Sequence, residues 1–181
     1  MGTRARSTIE DLYRADGKAE LVDGEIVPMS PTGAAPSHAS LEIAVSLRSY
    51  ARQTGRGRAV SDGAAFRVDL PHRQSFSPDA AYHVGRDPGM KFYDGAPLFA
   101  AEVRSEGDYG PAAEAEMASK RRDYFAAGTQ VVWDVDLLGD EVVRVYRAAD
   151  PEQPTVYRRG ERAEAEPAVV GWTMPVDQLF A

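Results

Sequence analysis

Three side chains in this chain are of types, and at places, that could do chemistry together. Asp79 follows Pro78 at the start of the short apolar run Ala80-Ala81-Tyr82. Glu102 ends the greasy stretch Pro97-Leu98-Phe99-Ala100-Ala101 and is followed by Val103, Arg104 and Ser105. Lys120 sits in a strongly helical stretch downstream. Two acids on neighbouring short strands, with a lysine on the next helix, make a site for metal-dependent phosphodiester hydrolysis. Carboxylate oxygens suit Mg²⁺, which takes one or two of them and keeps water and substrate phosphate as its other ligands. The metal stabilises phosphoryl charge and lowers the pKa of the attacking water, and a lysine in reach orients that water or stabilises the transition state.

Each residue also has a plainer reading. Asp is common at turns and strand ends, and a lysine on a helix can snorkel to water. Glu102 is the hardest to dismiss, because a buried carboxylate without a partner is costly or protonates. Strand alternation puts Phe99, Ala101 and Val103 on one face, and Ala100, Glu102 and Arg104 on the other. A simple Glu102–Arg104 pair is therefore the competing expectation.

The elements that must position these groups follow from local pattern. Ser7-Thr8-Ile9-Glu10 has the form of a capping box starting a helix through about Arg14. Glu20 to Val27, around Asp23-Gly24, reads as a hairpin. Pro28 to Pro36 reads as a loop. A helix then opens at Ser37 or His38 and runs to about Arg52, with Leu41, Val45, Leu47 and Ala51 near helical spacing. Ala59-Val60 and Ala64 to Leu70 read as strands, and residues 83–96 as a mobile loop. A helix from about Ala112 to Ala127, with Pro111 in its first turn and Gly128 after its end, follows the central strand. Met117, Lys120 and Tyr124 share its inner face, whereas Arg121 and Arg122 fall on the solvated side. Thr129 to Val135, Glu141 to Arg147 and Thr155 to Arg159 read as strands, and Gly171 to Phe180 packs back through Trp172, Met174 and Leu179. This order gives an α/β fold with a mixed β-sheet flanked by helices, a single domain over residues 1–181.

Composition narrows the function. At 181 residues, 43% hydrophobic and 27% charged, the chain is an ordinary globular domain. It has no run long enough for a membrane helix and no signal-peptide core after Met1 to Ser7. It also has no cysteine, which removes disulfides and thiolate zinc sites and fits a reducing cytoplasm. A net charge of −7 argues against a non-specific nucleic-acid binder, so contact with phosphates would rest on a local rim, with Arg104, Arg121 and Arg122 as candidates. His38, His72 and His83 lack helical i,i+4 partners, and no P-loop, GxSxG or GxGxxG stretch is present.

Several motifs occur together and in order. They are Glu20-Leu21-Val22-Asp23-Gly24-Glu25-Ile26, Met29-Ser30-Pro31, His38, Pro78-Asp79, Glu102-Val103 with Ser105, Lys120 with Tyr124, Gly128, Trp133, and a closing Gly171 to Phe180. In this set the chain resembles the Uma-two-like restriction endonucleases, bacterial proteins of the PD-(D/E)XK nuclease superfamily. The resemblance spans nearly the whole chain. It implies a restriction-endonuclease-like core and Mg²⁺-dependent cleavage of nucleic acid, DNA first, with Mn²⁺ as a substitute and a homodimer as one possible assembly. Asp79 and Glu102 would be the metal ligands and Lys120 the catalytic lysine, moved from strand to helix. Glu20 matches a characteristic family acid, and His38 matches a position that could organise the loop-to-helix junction. The chain departs from the pattern at Ala19, where an aromatic is usual, at Val132, which replaces an acid, and at Arg104, which replaces an apolar residue. A catalytically silent binding module that kept the fold is the alternative.

Arg104 holds the place two residues after the glutamate where the superfamily usually carries its base. An arginine, with a pKa of about 12 or higher, is a poor proton acceptor but grips phosphate bidentately. A lysine's pKa falls on burial, so Lys120 is expected to do the lysine's work.

Overall fold

A computed structural model describes residues 6–181; residues 1–5, on which the reading of the N-terminal leader partly falls, lie outside the described residues. The first helix, α1 (Ile9–Tyr13), does carry a capping box, but one residue later than expected. Thr8 is the N-cap, accepting from the Asp11 amide at 3.3 Å, and Asp11 Oδ2 accepts from the Thr8 amide at 2.8 Å. Ser7 is committed elsewhere, because its amide donates to the Gly24 carbonyl at 2.8 Å.

The expected hairpin forms from β1 (Ala19–Val22) and β2 (Glu25–Pro28). Helix α2 (Ala34–Thr54) starts earlier than its sequence suggested. Pro36 occupies its first turn, where the missing N–H leaves no bond unmade. Its buried face is Ala39, Ser40, Ile43, Ala44 and Leu47, whereas Leu41 and Val45 are exposed. Small residues at 39, 40 and 44 let the helix approach the sheet closely, so that stripe wins over the bulkier one.

The remaining strands are β3 (Arg58–Ser61), β4 (Phe66–Arg67), β5 (Ser75–Phe76), β6 (Ala80–His83), β7 (Tyr93–Asp94) and β8 (Phe99–Val103). After helix α3 (Pro111–Ala126) come β9 (Val131–Val135), β10 (Val143–Arg147), β11 (Asp150–Tyr157), β12 (Arg162–Glu164) and β13 (Thr173–Pro175), then a 3₁₀ turn over Val176–Phe180. The segment 83–96, read as loop, holds β7, which pairs parallel with β4. Six strands form the main sheet in the order β11-β10-β9-β8-β6-β3. The pairs are antiparallel except β8–β9, so the sheet is mixed as expected.

Alternation along β8 sorts two cores. Phe99, Ala101 and Val103 face α2 and the C-terminal segment, where Trp133 stacks on Trp172 with centroids 5.0 Å apart. Ala100, with Ala81 and Val132, faces Tyr124 of α3 and Phe66 and Phe76. Among the described residues no helix is long and apolar enough to cross a membrane.

The turn from α2 into β3 depends on two glycines with positive φ, Gly55 (66°) and Gly57 (61°). A Cβ on Gly55 would meet nothing within 4 Å, whereas one on Gly57 would lie 2.3 Å from the Tyr82 ring. Gly55→Ala is therefore expected to cost only the left-handed backbone penalty, about 1–2 kcal/mol. Gly57→Ala should cost clearly more, since it also displaces a tyrosine whose hydroxyl donates to the Arg56 carbonyl at 2.6 Å. Urea denaturation of the two variants measures the difference.

Candidate active site

Glu102 sits one residue before the end of β8, on the α3 face. Lys120 and Tyr124, one helical turn apart on α3, both reach it. The Lys120 ammonium lies 3.0 Å from the carboxylate, and the Tyr124 hydroxyl donates to Oε1 at 2.6 Å. Tyr124 is fixed by stacking on Phe76, with centroids 4.0 Å apart. Asp79 stands just before β6, the antiparallel neighbour of β8. Its amide donates to the Ala101 carbonyl at 3.1 Å, and its Oδ2 accepts from the Val103 amide at 2.8 Å. Asp79 is thereby tied to the backbone on both sides of Glu102. β6 and β8 are interior strands, and the acids meet at the strand ends, each side chain about one-fifth exposed.

Glu20 also arrives, from β1. It accepts from the Ser77 amide at 2.8 Å and from Arg73 Nη1 at 2.6 Å, and lies 3.0 Å from the Lys120 ammonium. Arg73 in turn binds Asp123 at 2.8 Å. Sequence reasoning missed four contributors: Lys18, Asp62, Arg73 and Asp123. Lys18 bridges Asp79 at 2.9 Å and Asp62 at 2.6 Å. Its spacing of two from Glu20 was the available signal, since residues two apart in extended chain point the same way; Asp62 lies in a turn and Arg73 in an isolated bridge to Val22, and neither carries such a signal.

Charge in the site is unbalanced. Glu20, Asp62, Asp79, Glu102 and Asp123 face Lys18, Arg73 and Lys120, with His72 also on Asp123 at 2.7 Å, so the acids outnumber the lysines and arginines around them. Burial pushes the Glu102 carboxyl up to about 7; Lys120 works against this, while Asp79 and Glu20 add to it. Glu20 is also buried, but Lys120 and Arg73 hold its carboxyl below the usual range. The expectation that burial lowers the Lys120 pKa is not met. Burial does disfavour its charge, but Glu102 and Glu20 outweigh it, and the pKa is raised.

Arg104 does not join Glu102. Beyond the strand end it turns to Asp134 on β9, making two bonds of 2.8 Å, and its guanidinium also binds Glu114 of α3. Both the Arg104 and Asp134 side chains are 2% exposed. Neither the Glu102–Arg104 pair nor a phosphate-gripping Arg104 fits this burial. Arg121 is drawn into the same cluster, 3.6 Å from Asp134 and with its guanidinium 3.8 Å from the Tyr146 ring centroid. Only Arg122 of the expected rim is exposed. His38 lies on α2, across the sheet from Glu102, with its Nε2 buried and lacking a hydrogen-bond partner among the described residues.

A mixed sheet with acids at the ends of two central strands and a lysine on the following helix defines the class: a restriction-endonuclease-like fold. A solved structure described as a "putative nuclease belonging to DUF820 from Anabaena variabilis ATCC 29413" shares it at a TM-score of 0.73 and 17% sequence identity, covering 96% of this chain and 97% of that one. Residues 7–177 match the family Uma2, described as "Putative restriction endonuclease", and the chain belongs to that family. A comparison with curated proteins returns no match.

The role of Arg104 is testable through stability. Removing one partner of a buried ion pair costs about 3–5 kcal/mol. Arg104→Met is expected to lose that much in urea denaturation, and a change within about 0.5 kcal/mol would place the guanidinium in solvent.

Proposed function

We propose that this protein is a cytoplasmic, divalent-metal-dependent endonuclease hydrolysing phosphodiester bonds in DNA, alone or as a homodimer. The observation that carries the reading is Glu102. It is a mostly buried carboxylate at the end of a central strand, beside Asp79, with Lys120 and Tyr124 directed at it.

The donor set suits Mg²⁺. The nearby ligands are hard carboxylate oxygens, and the acids outnumber the lysines and arginines around them. Among the described residues no group of three or more acidic or histidine side chains is arranged to hold a metal. Asp79 and Glu102 would supply two ligands and leave the other positions to water and phosphate, as Mg²⁺ commonly takes them. Bound there, Mg²⁺ or Mn²⁺ supplies charge stabilisation at the phosphoryl oxygens and a water of lowered pKa.

The chain's own groups do the rest. Val103's amide fixes the orientation of Asp79. Tyr124 orients Glu102. Lys120, kept as an ammonium by two glutamates, holds a water or a phosphoryl oxygen by charge and hydrogen bonding and does not act as a base. Glu20, anchored by Arg73 and the Ser77 amide, keeps Lys120 beside Glu102.

Cleavage of supercoiled plasmid and of single-stranded DNA, with Mg²⁺ or Mn²⁺ and with EDTA, tests the reading. Metal-dependent nicking is expected. The absence of both cleavage and metal binding would leave a silent binding module. Lys120→Met is expected to lower the cleavage rate at least about 100-fold, the scale for losing one transition-state donor, with Mn²⁺ still bound by calorimetry.

Salt dependence offers a second check. Arg122 of α3 is exposed, while Arg48, Arg52 and Arg58 line a cleft on the α2 side, with Arg58 paired to Asp87. DNA affinity should fall with salt on a shallow slope. A slope typical of about 6–10 phosphate contacts would contradict this arrangement.

A further inference from the structure

The fold brings a second lysine to the acids. Lys18 immediately precedes β1, and its carbonyl is held by the Met29 amide at 2.9 Å. Its ammonium spans two carboxylates, Asp79 Oδ1 at 2.9 Å and Asp62 Oδ1 at 2.6 Å. The two seats differ. Asp79 is 22% exposed and faces the candidate metal site, while Asp62 is 46% exposed and lies just past the end of β3.

The two oxygens of Asp79 also differ. Oδ2 is bound by the Val103 amide, a backbone group of the sheet that cannot leave. Oδ1 is bound by an ammonium on a four-carbon stem, which can. A divalent ion arriving at Oδ1 meets a positive charge already there, and like charges at that range repel strongly. Asp62 gives the lysine somewhere to go without leaving the site.

We propose that Lys18 is a counter-ion gate on Asp79: it neutralises Asp79 while no divalent ion is bound and passes to Asp62 as one binds. This rests on the reading of Asp79 as a metal ligand. Lys18 is then a positioning residue, setting metal affinity through competition. The competing description is a fixed clamp that only ties the start of β1 to β3 and β6.

The two descriptions predict opposite signs. Mn²⁺ affinity is measured by calorimetry on the whole protein, for wild type, Lys18→Met, Lys18→Gln, Asp62→Asn, the Lys18→Met/Asp62→Asn double variant and Asp79→Asn. A gate requires the Lys18 variants to bind Mn²⁺ more tightly, by at least about fivefold, the lower end of typical site-to-site coupling. Asp62→Asn should weaken binding, because the lysine loses its alternative seat. The double variant should be non-additive, as expected of groups acting as a unit. A clamp predicts weaker binding when Lys18 is removed, through a loosened Asp79, and that result or an unchanged affinity overturns the gate. Running Met and Gln together keeps the test from hanging on one variant's folding, which a thermal melt monitors. If wild type binds no Mn²⁺, or Asp79→Asn binds it normally, the metal reading of Asp79 fails and the gate falls with it. If Asp79→Asn loses binding while the Lys18 variants match wild type, the gate alone is wrong.

Discussion

A carboxylate at the end of an otherwise apolar strand must be given counter-charge, and much of this molecule is arranged around that need at Glu102. Water reaches it only partly, so the compensation comes from the protein. Lys120 supplies the charge and Tyr124 a hydrogen bond, which fixes both the position and the rotation of α3 against the sheet. Tyr124 can hold its place because Phe76 stacks on it, and Phe76 leads directly into Ser77 and Asp79. Lys120 is shared with Glu20, which ties the N-terminal hairpin to the same point. Three segments distant in sequence are thus held to β8 by one network, with Arg73 and Asp123 extending it along the side of α3.

A second charge system lies beside the first and is kept separate from it. Glu102 and Asp134 are register partners on adjacent parallel strands, yet each takes a different cation. Asp134 is clamped by the planar guanidinium of Arg104, a bidentate fit that favours arginine. Glu102 takes the compact ammonium of Lys120. The difference suits different work. The Arg104–Asp134 pair is buried, fully used and structural, whereas the site around Glu102 keeps an excess of negative charge and partial access to solvent.

The sequence carried a good deal of this. The hairpin at Asp23-Gly24, the inner face of α3 with Lys120 and Tyr124, the alternation of β8 that separates Phe99, Ala101 and Val103 from Ala100 and Glu102, and the packing of Trp172, Met174 and Leu179 are all local patterns with fixed periods. The start of α2 was harder to place, because Pro36 is as compatible with a first helical turn as with a loop. Its buried stripe is not legible from size alone, because Leu41 and Val45 are bulky yet exposed, while Ala39, Ser40 and Ala44 allow the closer approach to the sheet. The capping box slipped by one because Ser7–Glu10 and Thr8–Asp11 both satisfy the pattern, and only the hairpin's claim on Ser7 separates them.

Sequence alone therefore indicated the α/β character, the order of the main elements, the family resemblance and the candidate side chains Asp79, Glu102 and Lys120. Which cation meets which carboxylate was decided only by tertiary structure. Arg104 lies two residues from Glu102 and alternation puts them on one face, yet the guanidinium goes to Asp134, thirty residues on. Lys18 shares a face with Glu20, yet its meeting with Asp62 and Asp79, distant in the chain, is set by the tertiary fold alone. The physical reason is the range of the forces involved. Backbone periodicity and side-chain alternation act over a few residues and can be read in order. Ion pairing acts between whatever groups the strand register and helix docking bring within about 3 Å, and that register is set by the packing of the entire sheet.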